Sequence, residues 1–406
     1  MVICAKPTVF LAAALSMLAA RASAQGPPDP AASARVHIGP LAMSPTLALT
    51  NAGIDSNVFN EPNQASPKSD FTMTVEPKTE LWLHVGRSLV SGAVTEDLVY
   101  YQKYTNQRSA NSSFKVGLLV PLTRLAFRAN AAYLNTKDRP GFEIDVRAKR
   151  QELFYDGSIE VLALSRTSIG VKATRQTVTF ASDEVFRGAN LQNELGRKIM
   201  GEWLTLRHEL TPLTSITLDV GRQRDRFDES PLRDSDSRQV NVGVHFDPFA
   251  LLKGGATIGY RDFKPLLPGI PPYQGLTAGV DLSYVALGAT RLSVQASRDV
   301  QFSFDINRPY YIQTGVSVSL AQQIFGPVDV VGRVGAQQLD YRIRAGAPGA
   351  DTAPTDYIRT YGGGIGYHIG KDVRIGFNID KSRRTSPAVG REYEALRYGA
   401  AVTYGF

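Results

Sequence analysis

Cysteine is almost missing. Its one occurrence in 406 residues, Cys4, falls in the apolar stretch at the N-terminus. That stretch has Lys6 near its start, an apolar run from Val9 to Ala20, and the small residues Ala22-Ser23-Ala24. It is expected to be a secretory signal over residues 1–24, cleaved before Gln25. The run is shorter than the ~18–20 residues that span a bilayer as a helix. Once it is removed no cysteine is left, which excludes disulfides, thiol nucleophiles and cysteine-ligated metals. Long apolar runs are also lacking beyond it, so no spanning helix is expected. Charge of one sign is scarce: without Lys6 and Arg21 the 45 basic residues fall to 43, against 38 acidic ones, a net +5. No basic cluster of the kind that tracks a phosphate backbone occurs, so no nucleic-acid partner is expected.

Catalytic signatures are absent too. There is no G-x-S-x-G elbow, no H-E-x-x-H and no glycine-rich loop opening a helix. The five histidines are His37, His84, His208, His245 and His368. His84, His245 and His368 sit beside short turns on one face of their segments. A metal site made from them is weighed against scattered polar residues, and the second reading is preferred. No enzyme, cofactor or metal is expected. "YGGGIG" (361–366) lies in an alternating stretch, where small residues at a close approach explain it better than a phosphate loop.

What the chain does have is alternation. Residues 25–40 read as a flexible Pro/Ala-rich lead-in. From residue 41 to 406 one unit recurs: an alternating stretch of about ten residues, a short turn, another such stretch, and a longer polar loop. Phe71, Met73, Val75, Leu81 and Leu83 share a face opposite Glu76, Lys78 and Glu80. Val240, Val242, Val244 and Phe246 oppose Gln239, Asn241 and His245. Short turns fall near 84–88, 120–124, 164–168, 210–215, 249–254, 286–290, 324–327 and 368–372, rich in Pro, Gly, Ser and Thr. Long loops fall at about 54–69, 103–112, 137–149, 182–197, 228–237, 264–274, 305–310, 343–357 and 385–392. Sandwich strands average 5–6 residues, and these are longer, with tyrosines such as Tyr100, Tyr133, Tyr260 and Tyr367 near their ends. Strand length, loop asymmetry and aromatic ends predict an all-β transmembrane antiparallel up-and-down β-barrel of about 18 strands (16–18), with short periplasmic turns and longer extracellular loops.

Several segments, in order, carry a resemblance: "GIDSNVF" (53–59), "SDFTMTVEP" (69–77), "GYRDF" (259–263), "ASRDV" (296–300), "LDYRI" (339–343), "TDYIRTYGGGIGYHIGKDVRIGF" (355–377) and the closing "RYGAAVTYGF". The chain resembles the putative β-barrel porin type 2 family of bacterial outer-membrane proteins. That resemblance implies an 18-strand-like outer-membrane barrel with a poorly defined substrate and no matched catalytic residue. Some relatives are linked to surface polysaccharide production.

The candidate pore-lining residues are Glu76, Lys78, Glu80, Lys115, Arg128, Glu160, Arg207, Asp219, Asp281, Arg374, Asp380 and Arg397, joined by Asp156, Glu209 and Asp299. Their mixed signs would keep a wet channel open and set a transverse field, or they pair along the wall with no part in selection. The loop 181–197 could fold inward and narrow the pore. Arg298 falls on the face of Val294, Ala296, Val300 and Phe302, which would point it at lipid, so it is placed near the outer interface or on an inward bulge. Tyr398, Tyr404 and Phe406 form the lipid face of the last strand and an expected assembly signal. Expected partners are outer-membrane lipids and lipopolysaccharide, the barrel-assembly machinery and periplasmic chaperones, with surface polysaccharide for one reading. Three functions are carried forward: a diffusion channel for small hydrophilic solutes, a component of polysaccharide export or anchoring, and a lumen-based enzyme as the weakest.

Overall fold

Period-two alternation over a dozen residues commits a segment to a strand with two unlike faces. In a computed structural model, which describes residues 29–247, 251–286, 288–347 and 354–405, that is what the alternating segments do. The expected signal segment lies outside the described residues. Pro30–Ser33 forms a 3-10 turn, and β1 (Val36–Ile38) pairs with the start of β2 (Leu41–Asp55).

The wall continues through β3 (Asp70–Val85), β4 (Ser88–Tyr101), β5 (Ser109–Pro121), β6 (Leu125–Asp138), β7 (Ala148–Leu164) and β8 (Thr167–Phe180). A two-residue ribbon, β9 (Val185–Phe186) with β10 (Ala189–Asn190), and the helical turn α1 (Leu191–Leu195) occupy the next loop. Then come β11 (Arg197–Thr211), β12 (Thr214–Phe227), β13 (Ser235–Phe246), β14 (Leu252–Pro265), β15 (Tyr273–Ala286) and β16 (Thr290–Phe302). The last five are β17 (Tyr310–Phe325), β18 (Val328–Arg342), β19 (Thr355–Ile369), β20 (Val373–Thr385) and β21 (Tyr393–Tyr404).

Each long strand pairs antiparallel with its sequence neighbours, and β21 returns to β2, closing an 18-strand barrel. Closure leaves no unpaired edge, the condition for crossing a bilayer with strands. The strands run 12–17 residues, somewhat more than the ~9–11 tilted residues that span the hydrocarbon. The excess extends the wall on the side of the long loops.

The two faces differ sharply. In β11, Leu204, Leu206 and His208 are exposed on the outside, while Trp203, Thr205 and Arg207 are half-buried inside. Leu218, Val240, Ile258, Leu276, Phe377 and many like them stand open on the outer surface. So much exposed apolar surface marks a lipid contact. The apolar outer row ends at the same stage on successive strands. On β12 it runs Ile216, Leu218, Val220, then Arg222; on β13 it runs Val244, Val242, Val240, then Arg238.

The closing seam is tight. A bulge between Leu49 and Ala52, with Asn51 at φ 54°, breaks the register on β2. Asn is one of the residues that tolerates the left-handed region. A Cβ at Gly53 would overlap the Tyr398 carbonyl oxygen, so the β2–β21 ladder needs glycine there. This explains the glycine of "GIDSNVF".

The charged lumen and its loop-filled mouth

Antiparallel partners share a face, so register assigns each side chain to the lumen or the lipid. Glu76, Lys78 and Glu80 stand in a column on the inner face of β3, with Lys78 and Glu80 paired at 2.7 Å. Lys115 shares the inner row with Ala132, and Arg128 is ion-paired with Glu160 between β6 and β7. Asp156 accepts from Asn130 at 3.0 Å. On β11 and β12, Arg207 donates to Ser215 at 3.1 Å and Thr205 to Asp219 at 2.5 Å. Glu209 is the register partner of Ser215, and Asp281 faces Gln295 across the β15–β16 ladder. Arg374 holds Asp329 at 2.5 Å, with His368 on the same carboxylate at 2.6 Å. Asp380 accepts from Arg333, and Arg397 pairs with Asp55.

The candidate residues thus lie around the inner wall, mostly tied to a neighbour one or two strands away. Asp380 and Arg397 are register partners and come together directly. The three turn histidines do not meet. His84 lies 3.5 Å from Asp29, His245 is 3.2 Å from Thr217, and His368 is on Asp329. The glycine run lies at a close approach. At Gly362, Gly364 and Gly366 a Cβ would strike the side chains of Asp380, Asn378 and Arg374. What approaches is therefore the set of side chains on the neighbouring strand. The side chains of β20 lie flat over β19, and Arg333 reaches across the bare backbone to Asp380.

Towards the long loops the inner face becomes dry. The loop 139–147 leaves the wall between β6 and β7 and crosses to the opposite side. Arg384 of β20 donates to the Phe142 carbonyl at 3.0 Å and the Asp145 carboxylate at 3.0 Å, and it also pairs with Asp356. Arg391 donates to the Glu143 carbonyl and to the Tyr341 hydroxyl at 3.2 Å. From the third side, Ser303 donates to the Glu143 carboxylate at 2.6 Å. Ile144 packs on Val178 and Phe180 of the inner wall, together with Phe186, Leu191 and Leu195 of the loop 181–196. That loop therefore lies against the plug, while 139–147 is the segment that traverses the mouth.

One row of alternation fails here. Val300 and Phe302 carry the outer parity of β16, yet they do not face lipid. They pack with Phe263 and Tyr273 from the inner rows of β14 and β15, and Phe302 meets Phe227 edge-on at 4.8 Å. The β15–β16 ladder stops at the Ala278–Arg298 pair, so the tip of β16–β17 is free to lean over the mouth. Arg298 marks the point of departure and donates to Thr314 at 2.5 Å. Buried Arg233 fastens the tip through the carbonyls of Ser303 and Phe304, with Glu194 at 2.6 Å as counter-charge.

The family-like segments meet at this end. Asp55 of "GIDSNVF" pairs with Arg397 of "RYGAA" across the seam. Arg261 of "GYRDF" pairs with Asp299 of "ASRDV" at 2.8 Å. Asp356 of "TDYIR" holds Arg384. Sequence reasoning places Asp299 and Arg397 inside but misses Arg261, Asp329, Arg333, Asp356 and Arg384. Parity alone is enough to find all five, which stand on inner rows. The loop residues Glu143, Asp145 and Arg391 carry no such mark.

Burial pushes the Glu143 carboxyl above its ordinary range, against the opposing pull of Arg391, Ser303, the Phe304 amide and Arg384. Asp145 is raised by the same cause despite Arg384, Arg391 and Arg139. The inserted loop therefore binds more protons than a withdrawn one, and its stability is lost as pH rises through the raised values. Acidification from neutral pH should lower single-channel conductance, and Glu143→Gln should flatten the response. A conductance that rises on acidification would contradict this sign.

A closed even-stranded barrel with an apolar outer belt and a charged interior is a bacterial outer-membrane protein of the porin class. The chain belongs to the family described as Putative beta-barrel porin 2, whose model matches residues 29–406. No curated protein matches it. Among solved structures it is similar to the outer membrane protein opdK from Pseudomonas aeruginosa, at 9% identity and TM-score 0.44, covering 89% of this chain and 98% of that one. It is also similar to OccK9 (OpdG) from Pseudomonas aeruginosa, at 12% identity and TM-score 0.45, covering 89% and 97%. A BenF-like porin from Pseudomonas fluorescens Pf-5 gives 10% identity and TM-score 0.45, covering 90% and 98%.

Proposed function

We propose that this porin is a passive channel for small hydrophilic solutes, narrowed at its outer mouth by residues 139–147 and lined by the twelve candidate charges from Glu76 to Arg397. The observation that carries it is the contrast of faces. Over the periplasmic half outward positions are apolar, while inward ones are charged and mostly half-buried, with Glu160, Asp329 and Arg333 buried in wall pairs, as a water-lined wall requires. Because neighbouring opposite charges pair along the wall, the lumen offers both signs to a solute rather than one strong field. Selection then falls to the mouth. Passage or anchoring of a bulky surface polysaccharide is the second reading, and a loop tied across the mouth from three sides weighs against it. Tyr398 and Tyr404, on the lipid face of the closing strand, would serve with Phe406 as the assembly signal; Phe406 lies outside the described residues.

Purified protein in a planar bilayer should give ohmic single-channel steps of small size with weak preference between cations and anions. A folded barrel that passes no current would sink the channel reading.

A further inference from the structure

The lipid side of the wall is not smooth. A groove of about 1210 Å³ crosses the strands from β5 to β14 there. Its lower wall is apolar, with Phe127, Ile159, Val171, Leu204, Val220 and Tyr260 in one row. The next row starts small, at Ala129, Gly157 and Ala173, and continues in register to Glu202, Arg222, Arg238 and Asp262. Arg175, Met200, Arg224, Asp236 and Lys264 form the next row out on the same face.

The charges are unbalanced. Glu202 is already held by Arg222 at 2.5 Å and Arg224 at 2.8 Å, and Asp262 by Lys264 at 3.0 Å. Arg175 and Arg238 are exposed and make no hydrogen bond or ion-pair contact among the described residues. Five cations thus face three acids, and the third, Asp236, is taken by a further arginine, Arg226, at 2.6 Å. On the lipid face such charges cost about 2–4 kcal/mol at the midplane and ~0–1 near an interface, and these begin where the apolar rows end. Two uncommitted guanidiniums beside an apolar trough match a ligand with phosphate at one end and hydrocarbon at the other. Arginine binds phosphate through paired N–H donors, and basic residues above apolar surface draw anionic lipid.

We propose that this groove is a binding site for one phosphorylated, acylated glycolipid of the outer leaflet, its phosphate on Arg175, Arg222 and Arg238 and its chains along the Ala129–Gly157–Ala173 floor. A second copy of the chain fits poorly, because a two-fold contact would set the same cationic patch against itself. The proposal rests on the barrel's place in a bilayer and not on what crosses its lumen, so single-channel conductance serves as an independent readout.

The test is native mass spectrometry of the purified barrel with lipid A, with lipid A stripped of phosphate, and with inorganic phosphate. Lipid A should stay bound, at least tenfold more tightly than the stripped form, and inorganic phosphate should not displace it. Arg175→Gln/Arg222→Gln/Arg238→Gln should lose at least tenfold, Ala173→Trp should lose comparably by filling the floor, and Arg359→Gln across the barrel should bind as the parent does. Equal retention of both lipid forms by the parent protein would overturn the proposal without any variant. So would an unchanged affinity in the triple variant, or a lipid-independent dimer that Ala173→Trp abolishes.

Discussion

Arg384→Ala will enlarge the channel. Its guanidinium is fully buried and is the hub of the mouth, tied to Asp356, to Asp145 and to the Phe142 carbonyl. Removing one partner of a buried pair costs about 3–5 kcal/mol, because the other charge is left without compensation. Asp356 is 1% exposed and cannot recover water in place. The cheapest relief is withdrawal of the loop 139–147, which carries Asp145 out and admits water to Asp356. At about 1.4 kcal/mol per decade, the balance between inserted and withdrawn loop shifts by about two to three and a half orders of magnitude. The expected result is a larger conductance and faster uptake of bulky solutes, with a barrel as heat-stable as the parent. Arg391→Ala should act in the same direction but less, since its ion-pair distances are longer, 3.7 and 3.8 Å. An unchanged conductance in a folded Arg384→Ala barrel would show that the loop does not set the narrowest passage.

The difference between wall and mouth also decides how much of each is legible in the sequence. The wall is legible because each strand declares its two faces locally: Val240, Val242 and Val244 need no partner to show which side is apolar. The turns are legible for the same reason, since Gly and Pro act at their own positions. The inner charges can be placed on a face but not paired. Arg128 with Glu160 lies across one strand boundary, whereas Asp55 with Arg397 depends on closure of the whole ring. The mouth is illegible. Glu143 meets Ser303, and Asp145 meets Arg384, only because a loop crosses the barrel. Val300 and Phe302 mislead because their parity is sound while the strand that carries them leaves its neighbour. Period-two reasoning assumes a continuous sheet, and at Arg298 the sheet parts.

Closure of that ring carries the other large effect. β2 and β21 are the two ends of the barrel chain, and their ladder is interrupted by the bulge at Asn51, so it has less regular pairing than other boundaries. Arg397 sits at its outer end, paired with an Asp55 side chain that is 3% exposed. Asp55 also accepts the Asn57 amide at 3.0 Å, and Asn57 in turn donates to the Glu394 carbonyl at 3.0 Å. The pair therefore anchors a small network that joins the first strand to the last. Arg397→Ala should cost about 3–5 kcal/mol by stranding the Asp55 carboxylate. Asp55→Asn with Arg397→Gln should cost clearly less, because no uncompensated charge remains. Gly53→Val, which forces a side chain into the Tyr398 carbonyl, should be at least as damaging as Arg397→Ala while leaving every charge in place. The measurement is the urea midpoint of refolded barrels, followed by heat-modifiable gel mobility. If Arg397→Ala and the double variant unfold at the same midpoint, the buried charge is not what holds the seam, and the backbone ladder past the bulge carries closure alone.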